Sequence, residues 1–227
     1  MQAILAAVAG AVVLVAAPAI AQLEGITNRD AVAAFRAALE KGSQAAVAAL
    51  GREDGFLGNA KVRIPLPESL ERAEKVMRRV GAGKYADELI VTMNRAAEAA
   101  VPEAKTLLLD SIKKMSVQDA KGILTGGETS ATDYFRRTTR DQLHARFLPV
   151  VHKATVKVKL AEKYEQYADK AASAGLIGKD AADLDGYVTG KALEGLYLTI
   201  GEEEKKIRRD PIGTGSAIIK KVFGRML

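Results

Sequence analysis

Apolar residues along this chain recur mostly every three to four positions, the spacing of one face of an α-helix, and only briefly every second position. Asn28 is suited to capping a helix, and Val32, Phe35, Leu39 and Val47 mark the inner side of one running through Leu50. A glycine-rich turn follows from Gly51 to Gly58. Val62-Arg63-Ile64-Pro65-Leu66-Pro67 is expected to be extended, because each proline drives its predecessor out of the α region. Pro67 suits the first position of a helix ending before Gly81.

The same spacing predicts a helix over 85–100, with Leu89, Met93 and Ala96 on one side, and another from Pro102 to Met115. Ser116 followed by Asp119 resembles a capping box opening a short helix that stops at Gly126-Gly127. A long helix is expected from Thr129 to about Val151, kinked or divided at Pro149, then one over 160–174. Asp183 caps a helix over 184–209 that Pro211 stops, and a last short helix over 216–223 presents Ile218, Ile219, Val222 and Phe223. Val156, Val158 and Leu160 alternate with lysines like a short strand. The expected fold is all-α: a single-domain bundle of about eight to nine helices with one short extended proline-rich segment. No repeat at a solenoid period is present.

The N-terminus stands apart. Residues 1–21 carry no charged side chain, and an apolar run from Ala3 to Ala17 is broken by Pro18 and followed by Ala19-Ile20-Ala21. That pattern predicts a signal peptide cleaved after Ala21, with 22–227 as the single mature domain, although only the α-amino group supplies positive charge before the run. The expected compartment is the periplasm. With no Cys in 227 residues, lipoprotein anchoring, disulfides and thiol nucleophiles are excluded. A 5% aromatic content beside abundant alanine points to helices packed closely through small side chains.

Few catalytic motifs are visible. There is no Gly-x-Ser-x-Gly elbow. Gly81-Ala82-Gly83-Lys84 resembles the end of a phosphate loop but lacks the upstream glycine and has Tyr85 where Ser or Thr would hold Mg²⁺. Asp183-Leu184-Asp185-Gly186 resembles a calcium loop whose first and twelfth positions would be Ala181 and Ala192, so a helix cap is the favoured reading. His144 and His152, the two histidines, read as surface residues, and no metal or cofactor is expected.

Charge adds more. Arg136, Arg137, Arg140, Arg146, Lys153, Lys157 and Lys159 face one acid, Asp141, so this segment carries an excess equal to the whole chain's +6. It is either a solvated basic face or a contact for anionic lipid head groups, an envelope polysaccharide or a partner protein. Nucleic acid is excluded for an exported chain without interleaved aromatics, and an integral membrane protein is not expected.

Polar residues also fall on apolar stripes. Arg136 and Arg140 share a stripe with Leu143 and Phe147, Asn94 one with Ile90 and Val101, Lys191 one with Val188, and Glu204 one with Ile200 and Ile207. Buried charge needs a partner, so these helices are expected to bring Arg, Lys and Glu together. Either the groups are structural ion pairs or they line a cleft. In the cleft reading Asn94, Arg136, Arg140 and Lys191 contact a ligand, and Arg95, Glu98 and Glu204 pair behind them. Gly195 would mark close packing or ligand approach.

Several of these residues lie in phrases that carry a resemblance: Val62-Arg63-Ile64-Pro65-Leu66-Pro67, Met93-Asn94-Arg95-Ala96-Ala97-Glu98, Ala131-Thr132-Asp133-Tyr134-Phe135-Arg136, Tyr187-Val188 with Lys191-Ala192-Leu193, and Glu203-Glu204-Lys205-Lys206-Ile207-Arg208 before Asp210-Pro211. Together they resemble an exported proteobacterial family catalogued as domain of unknown function family 4197, from about Asn28 to Gly224. The resemblance implies one helical domain behind a signal peptide, with no activity, cofactor or catalytic residue to carry over. The leading functional reading is therefore a periplasmic non-catalytic binding or accessory protein for an anionic or lipid-like ligand or a partner protein. A second reading is an enzyme with Glu204 or Glu98 as general base, and Lys191 or Arg136 stabilising charge. A third is an interaction protein whose charge cluster only sets helix register.

Overall fold

The computed structural model describes residues 28–157, 159–173 and 183–210, and the regular structure among them is helical, with no strand. The expected leader over 1–21 and the expected last helix over 216–223, part of the count of eight to nine, lie outside the described residues.

Helix α1, Asn28–Leu50, buries Phe35, Leu39, Ala46 and Leu50 against α8, Leu184–Arg209, and α4, Ala104–Lys114. After the turn at 51–61, the extended segment alternates: Val62, Ile64 and Leu66 are buried, while Lys61, Arg63 and Pro65 are exposed. Pro67 stands just before α2, Glu68–Arg79, whose acidic first turn (Glu68, Glu71) and basic last turn (Arg78, Arg79) complement the helix dipole. Gly81, at φ +78°, lets the chain reverse into α3, Gly83–Ala100.

α3 packs against α2, α6, α7 and α8, and its Ala86, Ala96, Ala97 and Ala100 are wholly buried. Small side chains there allow the close helix approach that the alanine-rich composition suggested. A 3-10 turn at Val101–Glu103 leads into α4. Ser116 then caps α5, Val117–Thr125, in a reciprocal box: its hydroxyl accepts from the Asp119 amide, while the Asp119 carboxylate accepts from the Ser116 amide. α7, Leu160–Ser173, is tied to the start of α2 by the Tyr167 hydroxyl, which donates to the Leu70 carbonyl at 2.7 Å. Burial, with Glu74 and Tyr164 nearby, pushes that phenol up to about 12.

Two expectations are corrected. α6, Ser130–Lys157, is not divided at Pro149. Pro149 and Ala145, whose carbonyl the proline leaves without a donor, are both exposed, so water can satisfy that group and the helix continues. Nor do the described residues of the expected strand form one: Val156 and Lys157 end α6, and Leu160 opens α7. Val151 and Thr155, four apart, are buried on the inner side of α6 while Val156 is exposed, so the helical register runs on to Lys157. Lys159 turns the chain with a left-handed φ of 57°. No helix among the described residues is long and apolar enough to cross a membrane.

Candidate functional site

The polar residues of the apolar stripes are dispersed, and Asn94, Lys191 and Glu204 each have partners of their own. Asn94, fully buried on α3, grips the extended segment: its Oδ1 accepts from the Ile64 amide at 2.9 Å and its Nδ2 donates to the Ile64 carbonyl at 2.8 Å. The same Nδ2 donates to Ile90 O at 2.8 Å. The side chain thus supplies what a neighbouring strand would, which is why a lone extended segment can lie buried with its backbone satisfied. The Tyr187 hydroxyl, donating to Pro65 O at 3.1 Å, holds the next residue from α8.

One turn along α3, Glu98 does similar work for the preceding loop. Its Oε1 accepts from the amides of Phe56 (3.0 Å) and Leu57 (3.1 Å), and its Oε2 from Arg95 at 2.6 Å. Arg95 also reaches Asp54 at 2.8 Å, and Glu98 holds its guanidinium pKa above the usual value. The loop so fixed places the Phe56 ring against Gly195: a Cβ there would lie 2.8 Å from Phe56 Cε1 and 3.3 Å from Val62 Cβ. Gly195 therefore marks close packing.

Glu204 of α8 repeats the device at the start of α6. Oε1 accepts from the Ala131 amide and Oε2 from the Thr132 amide, both at 2.9 Å, and the Thr132 hydroxyl donates to Oε2 at 2.8 Å. First-turn amides lack intrahelical acceptors, so a carboxylate from another helix caps α6. Arg208, four residues on, donates to Oε1 from Nε at 3.1 Å and from a terminal nitrogen at 2.9 Å, and to the Ile123 carbonyl at the end of α5 at 2.9 Å. One buried carboxylate and its arginine thereby join α5, α6 and α8.

Arg136, Arg140 and Lys191 do not join these groups, so the expected single gathering of Arg, Lys and Glu is replaced by several separate sites. Arg136 is exposed, with its guanidinium carbon 5.0 Å from the Tyr197 ring centroid. Burial raises the Tyr197 phenol, opposed by the Thr139 hydroxyl at 3.0 Å and by Arg136 and Arg140. Arg140 is exposed beside it, four residues along α6. Lys191 donates to Glu194 at 2.8 Å, which raises its ammonium pKa. Leu143 and Phe147 of the same stripe are fully buried: α6 turns gradually relative to its neighbours, so the stripe leaves the surface as it proceeds.

Along α6 the surface is concave. Arg136, Arg137 and Arg140, with Asp133 and Asp141, border an open depression of about 320 Å³. Arg137 is shared with a groove of about 500 Å³ between α4 and α6, whose exposed sides include Lys114, Thr138, Gln142 and Arg146, and whose buried floor includes Ser111, Tyr134 and Thr139. Arg137 lies 3.7 Å from Asp119, and its guanidinium carbon is 5.8 Å from the Tyr134 ring centroid. The Asp119 carboxyl is held below its usual range, first by the Ser116 hydroxyl and amide and then by Arg137. No carboxylate pairs with Arg136, Arg140, Arg146 or Lys114 among the described residues.

Asp183, as expected, caps α8 by accepting from the Gly186 amide at 2.8 Å. Asp185 accepts from Thr155 at 2.7 Å and meets His152 Nδ1 at 2.6 Å, so the histidine clasps α6 to α8. Among the described residues no three His, Cys, Asp or Glu side chains are placed to hold a metal ion. The α4–α6 groove was not legible in the sequence, because Ser111 and Thr138 lie on different helices, 27 residues apart along the chain. Arg208 was findable: it stands one helical turn beyond Glu204, the spacing of an ion pair.

The phrases that carried the resemblance contain Ile64, Asn94, Glu98, Thr132, Tyr187, Glu204 and Arg208, the groups that fasten loops and helix ends to α3 and α8. No curated protein and no solved structure matches the chain. Over residues 25–224 it matches the model of the family described as protein of unknown function (DUF4197), and the chain belongs to that family.

Proposed function

We propose that this is an exported, non-catalytic binding or accessory protein of the periplasm that holds an anionic ligand against the outer side of α6. The supporting observation is the pairing of its cations. Arg95 and Arg208, beside the core, are neutralised by Glu98 and Glu204. Arg136, Arg140, Arg146 and Lys114 border two depressions that share Arg137, and none of the four has a carboxylate partner among the described residues. Cations so placed can each donate to an incoming anion without first breaking an ion pair.

The enzyme reading is weaker on the same grounds. A general base needs an oxygen free to take a proton from a substrate in a cavity. Glu98 and Glu204 are buried, their oxygens already accept from backbone amides and arginines, and neither lines the concavities along α6. The purely structural reading accounts for those buried groups but gives no role to the unpaired cations of α6.

The deciding experiment is native mass spectrometry, with extraction of bound species, on mature protein purified from its own periplasm. An anionic species is expected on the wild type and its loss is expected in an Arg136→Ala/Arg140→Ala variant. Repeated preparations that yield no bound species would argue against the reading.

A further inference from the structure

We infer that the α4–α6 groove selects a hydroxylated anion, such as a uronic acid or a sugar phosphate, over either a bare anion or a neutral sugar. This rests on the anion-binding reading above and assigns it a ligand class.

The Thr138 hydroxyl donates its one proton to the Tyr134 carbonyl at 2.9 Å. The Ser111 hydroxyl, 2.9 Å from Thr138 Oγ1, must then be the donor of that pair. The Tyr134 hydroxyl donates to the Ser111 carbonyl at 3.2 Å. The Thr139 hydroxyl, which also lines the groove, donates to the Phe135 carbonyl at 2.7 Å. In this arrangement the four hydroxyls direct their protons within the protein, and what they offer a ligand is lone pairs that accept from its O–H groups.

The cations at the sides have the opposite character. Lys114 and Arg146 can only donate, neither has a carboxylate partner among the described residues, and Arg137 is loosely engaged at 3.7 Å from Asp119. Gln142 can do both. Two acids also border the groove: Asp119 is held by Ser116 at 2.6 Å, and Asp110 lies 3.8 Å from Lys113, as loose a contact as that of Arg137 with Asp119. Donors at the sides and acceptors on the floor match a molecule that carries an anionic group at one end and hydroxyls at the other. A volume of about 500 Å³ suits a sugar ring with its charged substituent and exceeds what an isolated oxyanion fills.

The test is isothermal titration of the mature protein with four probes: glucuronate, glucose 6-phosphate, glucose and inorganic phosphate. Glucuronate or glucose 6-phosphate should bind at least roughly tenfold tighter than both glucose and inorganic phosphate, since one charge-assisted hydrogen bond is worth about that factor. Lys114→Ala/Arg146→Ala should abolish the preference, and Lys75→Ala, which removes a charge from α2, should leave it intact. Both changes are at exposed positions, so folding is preserved. Equal binding of inorganic phosphate and the sugar anions would overturn the selectivity while leaving the anion-binding reading standing. Equal binding of glucose and glucuronate would overturn the role given to Lys114 and Arg146. If no probe binds yet a native anion is lost from Arg136→Ala/Arg140→Ala, the groove assignment fails and the broader reading survives.

Discussion

The inner sides of α3 and α8 and the outer side of α6 all carry charge, but they use it in opposite ways. On α3 and α8, Glu98 and Glu204 are buried and surrounded by amides, a hydroxyl and an arginine each can reach. On α6, Arg136, Arg140 and Arg146 stand in water, and none forms an ion pair among the described residues, although Asp133 and Asp141 border the same depression. A buried charge must be satisfied by the protein itself, so it becomes a fastener. An exposed one is hydrated and can exchange water for a ligand. The first kind determines how the helices meet, and the second is where an outside molecule can act.

Breaking the first kind should unfold, and breaking the second should not. The largest effect is expected for Glu204→Ala, which strips the acceptors from Ala131 and Thr132 and leaves Arg208 without its partner. A loss of about 4 kcal/mol in urea denaturation is expected. Asn94→Ala should cost about 3 kcal/mol by the same measurement, because the Ile64 amide and carbonyl lose their partner inside the core. Gly195→Ala forces a methyl toward Phe56, and a cost of about 2 kcal/mol should register as a lower urea midpoint with unchanged slope.

Ser116→Ala should cost about 1 kcal/mol at neutral pH through loss of the α5 cap. Its pH dependence has a definite sign. The Asp119 carboxyl is depressed in the folded protein, so its contribution is complete above the unfolded value of about 4 and lost as pH falls through the folded value. The gap between wild type and Ser116→Ala should therefore narrow in acid. The smallest stability effect is expected for Arg136→Ala/Arg140→Ala, within about 0.5 kcal/mol, although ligand retention falls. A large loss of stability there would erase the contrast between the two regions.

Much of the helical frame was legible because it rests on local rules. Proline at 65 and 67 dictated the extended segment, Ser116 with Asp119 announced the α5 cap, and Asp183 announced the α8 cap. The failures are equally local in cause. Pro149 was expected to kink or divide α6, and it does not divide it, because the consequence of a missing amide depends on whether the orphaned carbonyl faces core or water. The alternation at 156–160 suggested a strand, but a strand needs a neighbour to pair with, and periodicity does not report neighbours.

For the candidate site the division is sharper. The chain's own pattern put Asn94 and Glu204 on apolar stripes, where polar groups need a reason, but it put Arg136 and Arg140 there too, and those stand in water. Only the folded arrangement decided what the reason was, because Asn94 and Ile64 are 30 residues apart and Glu204 and Thr132 are 72 apart. A hydrogen bond is a matter of ångströms in space. Separation along the chain does not specify it, and so neither the fasteners' partners nor the groove between α4 and α6 could be read until the helices had been brought together.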